Sequence, residues 1–533
     1  MTQGRAKPGM DPLITTKGYS ILKTGLSPAQ TQEIQDELTV TPKMNTKFAT
    51  KDMIEAATFK LFRQSPTRWY LPRAWGLTRF GEAKSVVPEG ESMTVEFVGK
   101  PYEYQVAIID SFIKAGNGLI CVPCGRGKTF MALSIAAKLK KRFIVVVDKE
   151  FLMNQWKGEM EALMPGIRIG IIQEDNKQIH EVEEPVVKGA TIPEMKERLK
   201  GLGLKVGGTK EVLLARLKEA IPGFGDQPVK EKVKYDCCIA LIQTLVKREF
   251  GPSDFEGFGF TIFDECHHLG AQHFSKVLQR IQTAKMLGLS ATPTREDGMT
   301  KVFQWFLGEP VYWEKTRDPD PTVEVKAVAI KTTDTTYHDV PVDWRGETVT
   351  ARLLGNVLGC EERNREVVRW IRMLLEEPER RILVLSERIG HLNRIEEMLC
   401  ETDAPTISYY IGGMKEEVRE SGAKSARILL ASYAMASEAM NIKSLNTVVL
   451  ASPRKNVEQS TGRILRVQAD KRTIQPMIVD IIDDHSMYKG QWQKRATYYR
   501  KCAYQIEDWP MGATTGNKRK APIVKGEGCM IDD

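Results

Sequence analysis

The stretch that most constrains this chain is Leu119-Ile120-Cys121-Val122-Pro123-Cys124-Gly125-Arg126-Gly127-Lys128-Thr129, continuing into the helical run Phe130 to Lys140. A short apolar run predicts a buried strand, the glycines predict a turn, and a helix follows the Lys-Thr pair. Strand, Gly-rich turn and helix together aim backbone N–H groups and a helix N-terminus at a phosphate chain. Gly125 and Gly127 let the backbone close round an anion with no Cβ in the way. Lys128 is then placed to reach β- and γ-phosphates, and the Thr129 hydroxyl to bind Mg²⁺. Val122 stands where such loops usually open with Gly, so partners elsewhere in the chain must support the reading.

Those partners begin with the surrounding alternation. From Tyr104 to about residue 315, strand and helix patterns alternate as in a doubly wound α/β domain. Phe143 to Val147 is a β-branched run closed by Asp148, and a helix carrying Phe151, Gln155 and Trp156 follows. Tyr235 to Leu241 and Gly259 to Phe263 are further buried-strand candidates. The Pro/Asp-rich break Arg317-Asp318-Pro319-Asp320-Pro321 reads as a linker. New strands follow at Arg381 to Leu385, Arg427 to Ala431, Thr447 to Ala451 and Met477 to Ile482. The expected fold class is α/β, with two tandem doubly wound parallel-sheet domains over 96–315 and 322–510. Residues 1–95 form an α+β accessory region, with a helix at Asp52–Ala57 and a strand at Met93–Val98. Within it, Arg68-Trp69-Tyr70-Leu71-Pro72-Arg73-Ala74-Trp75-Gly76 interleaves aromatics and arginines. Packing onto the next domain explains that mixture better than nucleic-acid stacking. Residues 511–533, with Lys518-Arg519-Lys520, read as a disordered, solvated tail.

The second chemical element is Phe260-Thr261-Ile262-Phe263-Asp264-Glu265-Cys266-His267-His268, which sets two carboxylates at the end of a buried strand. ATP hydrolysis needs one acid to hold Mg²⁺ and another to orient or deprotonate the attacking water. Asp264 suits the first role and Glu265 the second. Ser290-Ala291-Thr292 follows the apolar run Lys285 to Leu289, and its hydroxyls can link a nucleotide site to another surface. Gln459-Ser460-Thr461-Gly462-Arg463-Ile464-Leu465-Arg466 carries arginines three apart on one helix face, an arrangement that can clamp a γ-phosphate.

Charge and cysteine usage restrict the setting. A net charge of +8 over 533 residues is compatible with a polyanionic partner. No run approaches 18 apolar residues and Met1 to Asp11 is polar, so a soluble intracellular protein with no membrane partner is expected. Nine cysteines without a framework fit a reducing compartment. Cys121 and Cys124 read as small buried residues rather than half a zinc site, and Cys237-Cys238 as core.

One segment, 190–221, interrupts the first α/β unit. Thr191 with Glu194 reads as a capping box and Thr209 as a second N-cap, while Met195/Leu199 and Leu213/Leu217 are i,i+4 apolar pairs. Its flanks, Gln173–Val187 and Pro222–Lys234, are polar and predicted as loops. Lys196, Arg198, Lys200, Lys205, Lys210, Arg216 and Lys218 outnumber its four glutamates, which favours phosphate contacts.

Taken in order, these motifs resemble superfamily 2 helicases, over about residues 100–505. The resemblance implies two RecA-like domains with ATP and Mg²⁺ bound in the cleft between them. Tyr104-Gln105 looks like the adenine-contacting Gln, Val122 to Thr129 like motif I, Asp264 to His267 like a DECH form of motif II, Ser290 to Thr292 like motif III, and Gln459 to Arg466 like motif VI. The resemblance therefore assigns nucleotide contacts to Gln105, Val122, Pro123, Cys124, Gly125, Arg126, Gly127, Lys128, Thr129, Asp264, His267 and Gln459, and catalysis to Lys128, Asp264, Glu265, Arg463 and Arg466. Pro123-Cys124-Gly125, Gln155-Trp156, Thr294-Arg295-Glu296-Asp297 and Tyr498-Tyr499-Arg500-Lys501 are alike in the XPB/UvsW-like group and its large-DNA-virus relatives, including transcript-release helicases. In that group Arg295-Glu296-Asp297 would handle DNA. Glu438-Ala439-Met440-Asn441-Ile442 departs from the group's motif V, with Ala for Gly and Asn for Asp. The insert resembles a SAP module, a small helical DNA-binding unit, with Lys196, Arg198, Lys200, Lys205, Lys210 and Arg216 as its implied contacts. The implied activity is ATP-driven movement on, or unwinding of, DNA, with transcription or repair proteins as possible partners. An RNA helicase and an ATP-switched recruitment factor are the alternatives.

Overall fold

A computed structural model describes residues 10–43, 50–123, 125–186, 192–221, 229–295, 297–315, 318–400, 406–438, 440, 442, 444–465 and 472–518. Cys124, Thr191, Glu296, Ala439, Asn441, Arg466 and the tail beyond 518 lie outside them, so the readings placed on those positions do too. The chain forms two compact units, Met1–Ile120 with Thr129–Leu289 and Pro293–Val311, and Cys121–Lys128 with Ser290–Thr292 and Tyr312–Asp533.

The first large sheet runs in the order Asn176–Lys177, Ile169–Gln173, Cys237–Leu241, Phe143–Val147, Phe260–Phe263, Lys285–Ser290, Asn117–Cys121, Pro310–Trp313. Phe143–Val147 is parallel to both Cys237–Leu241 and Phe260–Phe263, and all five of its residues are buried. That is why it reads as an unbroken apolar run: a central parallel strand is covered on both faces. The predicted strands at 143–147, 235–241 and 259–263 are present within two residues. Met93–Val98 is not a strand. Ser92 makes one isolated bridge to Lys141, Met93 N–H donates to Lys140 O, and Val98 N–H donates to Leu163 O, so the segment is extended with no ladder.

The accessory region is a five-stranded sheet in the order Arg63–Gln64, Arg68–Leu71, Gly18–Leu22, Leu13–Thr15, Lys84–Ser85, with the helix Arg73–Phe80 packed on it. Trp69, Trp75 and Phe80 are buried, and Arg68 pairs with Asp11. Arg73 is 4% exposed and donates to Thr283 O (2.8 Å), Ala284 O (3.2 Å) and Asn117 Oδ1 (3.3 Å). These three acceptors are neutral, and burial draws the Arg73 pKa down to about 10. The aromatic–arginine mixture thus packs and fastens this region onto the first sheet.

The insert is two helices, Ile192–Gly201 and Lys210–Ala220, closed around Met195, Leu199, Leu213 and Leu217, all fully buried. Thr209 stands at the second N-cap with extended backbone, but its side chain accepts no cap hydrogen bond. The flanks are not loops: Glu181–Val186 and Val229–Lys234 pair antiparallel, Glu181 opposite Lys234 and Val182 opposite Val233. An acidic strand and a lysine-rich strand are polar in local composition, and only their pairing across the insert makes a ribbon of them. Nearer the core, Asn176–Lys177 pairs with Ile169–Gln173.

The second sheet is ordered Ile407–Tyr410, Ile428–Ser432, Ile382–Ser386, Thr447–Leu450, Met477–Ile482, Glu324–Ala329, Gln505–Pro510, Asn517–Lys518. All neighbours are parallel except the last pair. Asn517–Lys518 falls in the predicted disordered tail, yet it pairs antiparallel with Glu507 and Asp508. Val384, Leu430, Val449 and Val479 centre the core, against Val367, Trp370 and Ile371 of the helix Glu361–Leu375.

His391, in the helix Ile389–Cys400, is buried in that unit with Nδ1 2.9 Å from Ser386 Oγ and Nε2 3.0 Å from Asn364 Oδ1. Burial, helped by Arg363, pushes its pKa down to about 3. The unfolded chain takes up this proton below about pH 6.5 and the folded chain refuses it, so stability present above that pH falls as acid is added. Denaturation near pH 7.5 and near pH 5 should show an acid loss about 2 kcal/mol larger in the wild type than in His391→Gln. Equal pH slopes would exclude this group as the sensor.

Candidate active-site residues

In the unit that holds 121–128, Gly125 and Gly127 take φ of +88° and +78°. These are left-handed values that other side chains rarely adopt, and they wrap the loop before the helix Lys128–Leu139 begins. Val122 N–H donates to Ser290 O (3.2 Å), and Ser290 Oγ accepts from Thr292 N–H (3.1 Å), so the Ser-Ala-Thr segment braces the loop's first residue. Arg126 is engaged by carboxylates: Nε and Nη2 donate to Glu314 Oε1 (2.9 and 2.7 Å), and Nη2 reaches Asp318 Oδ2 (2.5 Å). Burial alone would lower its pKa, but the two carboxylates hold it above the ordinary value. Pro123, Lys128 and Thr129 are half-buried.

In the other unit, Asp264 and Glu265 lie just past the strand Phe260–Phe263, where parallel strands present ligand-binding loops. Asp264 N–H donates to Val146 O (3.0 Å), continuing the ladder by one residue. Its Oδ1 accepts from Glu265 N–H (2.9 Å) and its Oδ2 from Trp156 Nε1–H (2.8 Å). Glu265 sits at φ +40°, ψ +51°, a left-handed conformation that costs a non-glycine residue about 1–3 kcal/mol. Strain of this kind gathers at working sites, where surrounding contacts enforce it. His267 Nδ1 lies 3.4 Å from Glu265 Oε2, and His268 Nε2 lies 3.5 Å from Asp148 Oδ2.

Arg295 takes a place that its sequence reading did not foresee. Nε donates to Asp297 Oδ1 (3.0 Å), a second arm reaches Asp297 Oδ2, and Nη1 donates to His267 O (2.6 Å). The guanidinium holds the Asp297 carboxyl below its ordinary pKa. Arg295 therefore ties its own loop to the DECH segment. Gln105 is buried, with Oε1 accepting Tyr102 N–H (3.0 Å) at the start of the helix Glu103–Ala115.

The motif VI residues sit in the second unit. The helix there, Glu458–Thr461, is short, and a 3₁₀ turn Gly462–Leu465 replaces the continuous helix predicted through Arg466. Arg463 is 7% exposed and points inward, Nε donating to Ala436 O (2.6 Å) and Nη1 to Met440 O (2.8 Å). Gln459 is half-buried. On the insert, Lys196, Arg198, Lys200, Lys205 and Lys210 are exposed. Arg216 is partly used at home, Nη1 donating to Lys205 O (2.9 Å) and Gly207 O (2.6 Å) across the inter-helix loop.

What sequence reasoning missed are the contacts of Trp156 with Asp264, of Asp148 with His268 and of Asp297 with Arg295. Trp156 was legible as a helix residue, but nothing local says that its N–H meets a carboxylate in another strand's loop.

Two parallel-sheet α/β units, a glycine loop at a helix start and a carboxylate pair at a strand end are the parts of a nucleoside-triphosphate hydrolase. The chain belongs to the superfamily 2 helicases: residues 99–295 match the family described as type III restriction enzyme, res subunit, and 365–468 match the helicase conserved C-terminal domain. A protein of Acanthamoeba polyphaga mimivirus, named as a candidate ATP-dependent RNA helicase, is 28% identical over 93% of this chain and 86% of its own length. One of African swine fever virus, named likewise, is 25% identical over 76% of this chain and 74% of its own. The crystal structure of T4 UvsW aligns over 94% of this chain and all of that one, at 16% identity and a TM-score of 0.32. Among the described residues, no helix is long and apolar enough to cross a membrane.

Proposed function

We propose that this chain is an ATP-driven DNA helicase or translocase. The observation that carries the reading is the ordered motif set: a phosphate-type loop at 122–129, Asp264-Glu265 at a strand end, and Gln459 to Arg466 in a second α/β unit. The donor set is all oxygen, a carboxylate and a hydroxyl, which suits Mg²⁺ rather than a softer metal. Lys128 and the loop N–H groups would hold the phosphates, with Thr129 and Asp264 on Mg²⁺. Bound Mg²⁺ would neutralise charge on the β- and γ-phosphates. Glu265 would take the proton of the attacking water, its orientation kept by the left-handed backbone and by His267. Arg463 and Arg466 would stabilise the transferring phosphoryl group, which requires Arg463 to release the Ala436 and Met440 carbonyls. That exchange would couple the nucleotide state to the segment before Ile442.

DNA is favoured as the track because of the SAP-like insert. Six exposed cations on a module of two short helices, Lys218 with the five named above, would supply backbone contacts without sequence choice. Deleting 190–222 is expected to weaken duplex-DNA binding and flatten its salt dependence by about 0.9 for each phosphate that the insert neutralises, with basal ATP hydrolysis kept. An unchanged affinity and salt slope would show that the insert is not a DNA grip. One observation favours RNA instead: the mimivirus and swine-fever relatives are both named for it. ATP-dependent strand displacement on 3′- and 5′-tailed DNA and RNA duplexes decides between them, and activity on RNA alone would overturn the DNA reading.

A further inference from the structure

Asp264 and Trp156 come from different elements and meet inside the first unit. The strand Phe143–Val147 lies beside Phe260–Phe263, Val146 opposite Phe263, and the helix Glu150–Leu163 follows it directly. The parallel pairing therefore sets the second turn of that helix over the end of the neighbouring strand, where Asp264 begins the DECH segment. Trp156 is 1% exposed, so its indole cannot swing away, and its N–H must find an acceptor within the fold. The acceptor is Asp264 Oδ2 at 2.8 Å, while Oδ1 receives Glu265 N–H at 2.9 Å. Two donors on two different oxygens fix the rotation of the carboxylate about both side-chain torsions.

We propose that Trp156 is the positioning residue for the metal-binding carboxylate: its N–H orients Asp264 so that the remaining lone pairs face the Mg²⁺ of the bound nucleotide. The proposal rests on the reading of Asp264 as a Mg²⁺ ligand. A carboxylate free to rotate must be ordered each time the metal binds, whereas one held by a buried indole is ordered beforehand. Outer-shell donors of this kind typically change metal affinity by about 10–100-fold when removed. Trp156 touches neither phosphate nor water in this role, so its effect passes through Asp264 alone.

The test uses the full chain and a fluorescent N-methylanthraniloyl-ADP, titrated with and without Mg²⁺. Trp156→Phe keeps an aromatic ring at the site, gives up part of the indole's volume and deletes the N–H. Its metal-free nucleotide affinity should stay within about two-fold of wild type, while the Mg²⁺ concentration that half-maximally tightens binding should rise about ten-fold. Trp156→His, which returns a ring N–H, should recover part of that rise. Asp264→Asn separates the two readings. If it leaves the Mg²⁺ response intact, Asp264 is not the ligand; if it abolishes the response while Trp156→Phe matches wild type, the positioning proposal is overturned. Should neither Trp156 variant fold, indole ¹⁵N spectra of the wild type decide. An indole N–H resonance that moves on Mg²⁺ with ADP, but not on ADP alone, supports the proposal, and the absence of such a resonance refutes it.

Discussion

Glu265→Gln is expected to lower ATP turnover by about a thousand-fold while nucleotide binding survives, and Lys128→Ala to lower both. The two differ because the side chains act at different moments. Gln keeps the shape of Glu and its fit in the left-handed turn at φ +40°, but it cannot take a proton from water, and a positioned general base contributes about 10²–10⁴. Lys128, at the first position of its helix, would touch the phosphates in the ground state and more strongly as charge develops, so its loss falls on affinity and rate together. Steady-state hydrolysis with saturating DNA, alongside binding of a non-hydrolysable ATP analogue, reads both. Turnover within three-fold of wild type in either variant would sink the assignment, and a Glu265→Gln protein that no longer binds the analogue would point to a structural role.

The second large effect is on stability. Arg363 and Asp483 are both fully buried in the second unit and paired through two bonds, Nε to Oδ1 (2.6 Å) and Nη2 to Oδ2 (2.9 Å). Arg363 Nη2 also donates to Ala451 O (2.8 Å), and the Tyr337 hydroxyl donates to Asp483 Oδ1 (3.2 Å) while accepting Asp484 N–H. This cluster joins a helix, two strand ends and the segment after the linker. Arg363→Met leaves a carboxylate in the core with the Tyr337 hydroxyl beside it and its guanidinium partner gone. Removing one partner of such a pair costs about 3–5 kcal/mol. Chemical denaturation followed by a probe in the second unit should show that loss, and a change below about 1 kcal/mol would mean that water reaches the site. Replacing both partners together, as Arg363→Met with Asp483→Leu, should cost less than the sum of the singles, because no lone charge is left behind.

What the sequence made legible follows from range. Central strands such as Phe143–Val147 and Thr447–Leu450 are rich in β-branched and apolar residues because both faces are covered, so the signal is local and strong. The glycine loop and the Asp-Glu pair were legible for the same reason, since each requirement is met by adjacent residues. Three features were not. The ribbon strands at 181–186 and 229–234 are individually polar and exist only through each other. Arg295 and Arg463 were read by role, as a DNA-handling residue and a phosphate clamp, but the partners each holds in the fold, Asp297 and His267 O for one and two backbone carbonyls for the other, lie outside any local pattern. Asn517–Lys518 has no strand composition and is held as an edge by Gln505–Pro510.

The ribbon changes how the chain can be regarded as a heritable object. The insert leaves and rejoins the first unit through strands that touch, with Lys234 bonded to Glu91 at their base. The host then sees only a closed gap, and the entropy of closing a loop grows slowly, by about 0.6 kcal/mol for each doubling of its length. A two-helix module with its own four-residue apolar centre can therefore be lost, lengthened or exchanged while the sheet beneath it folds as before. The module can evolve on a separate schedule from the sheet that carries it.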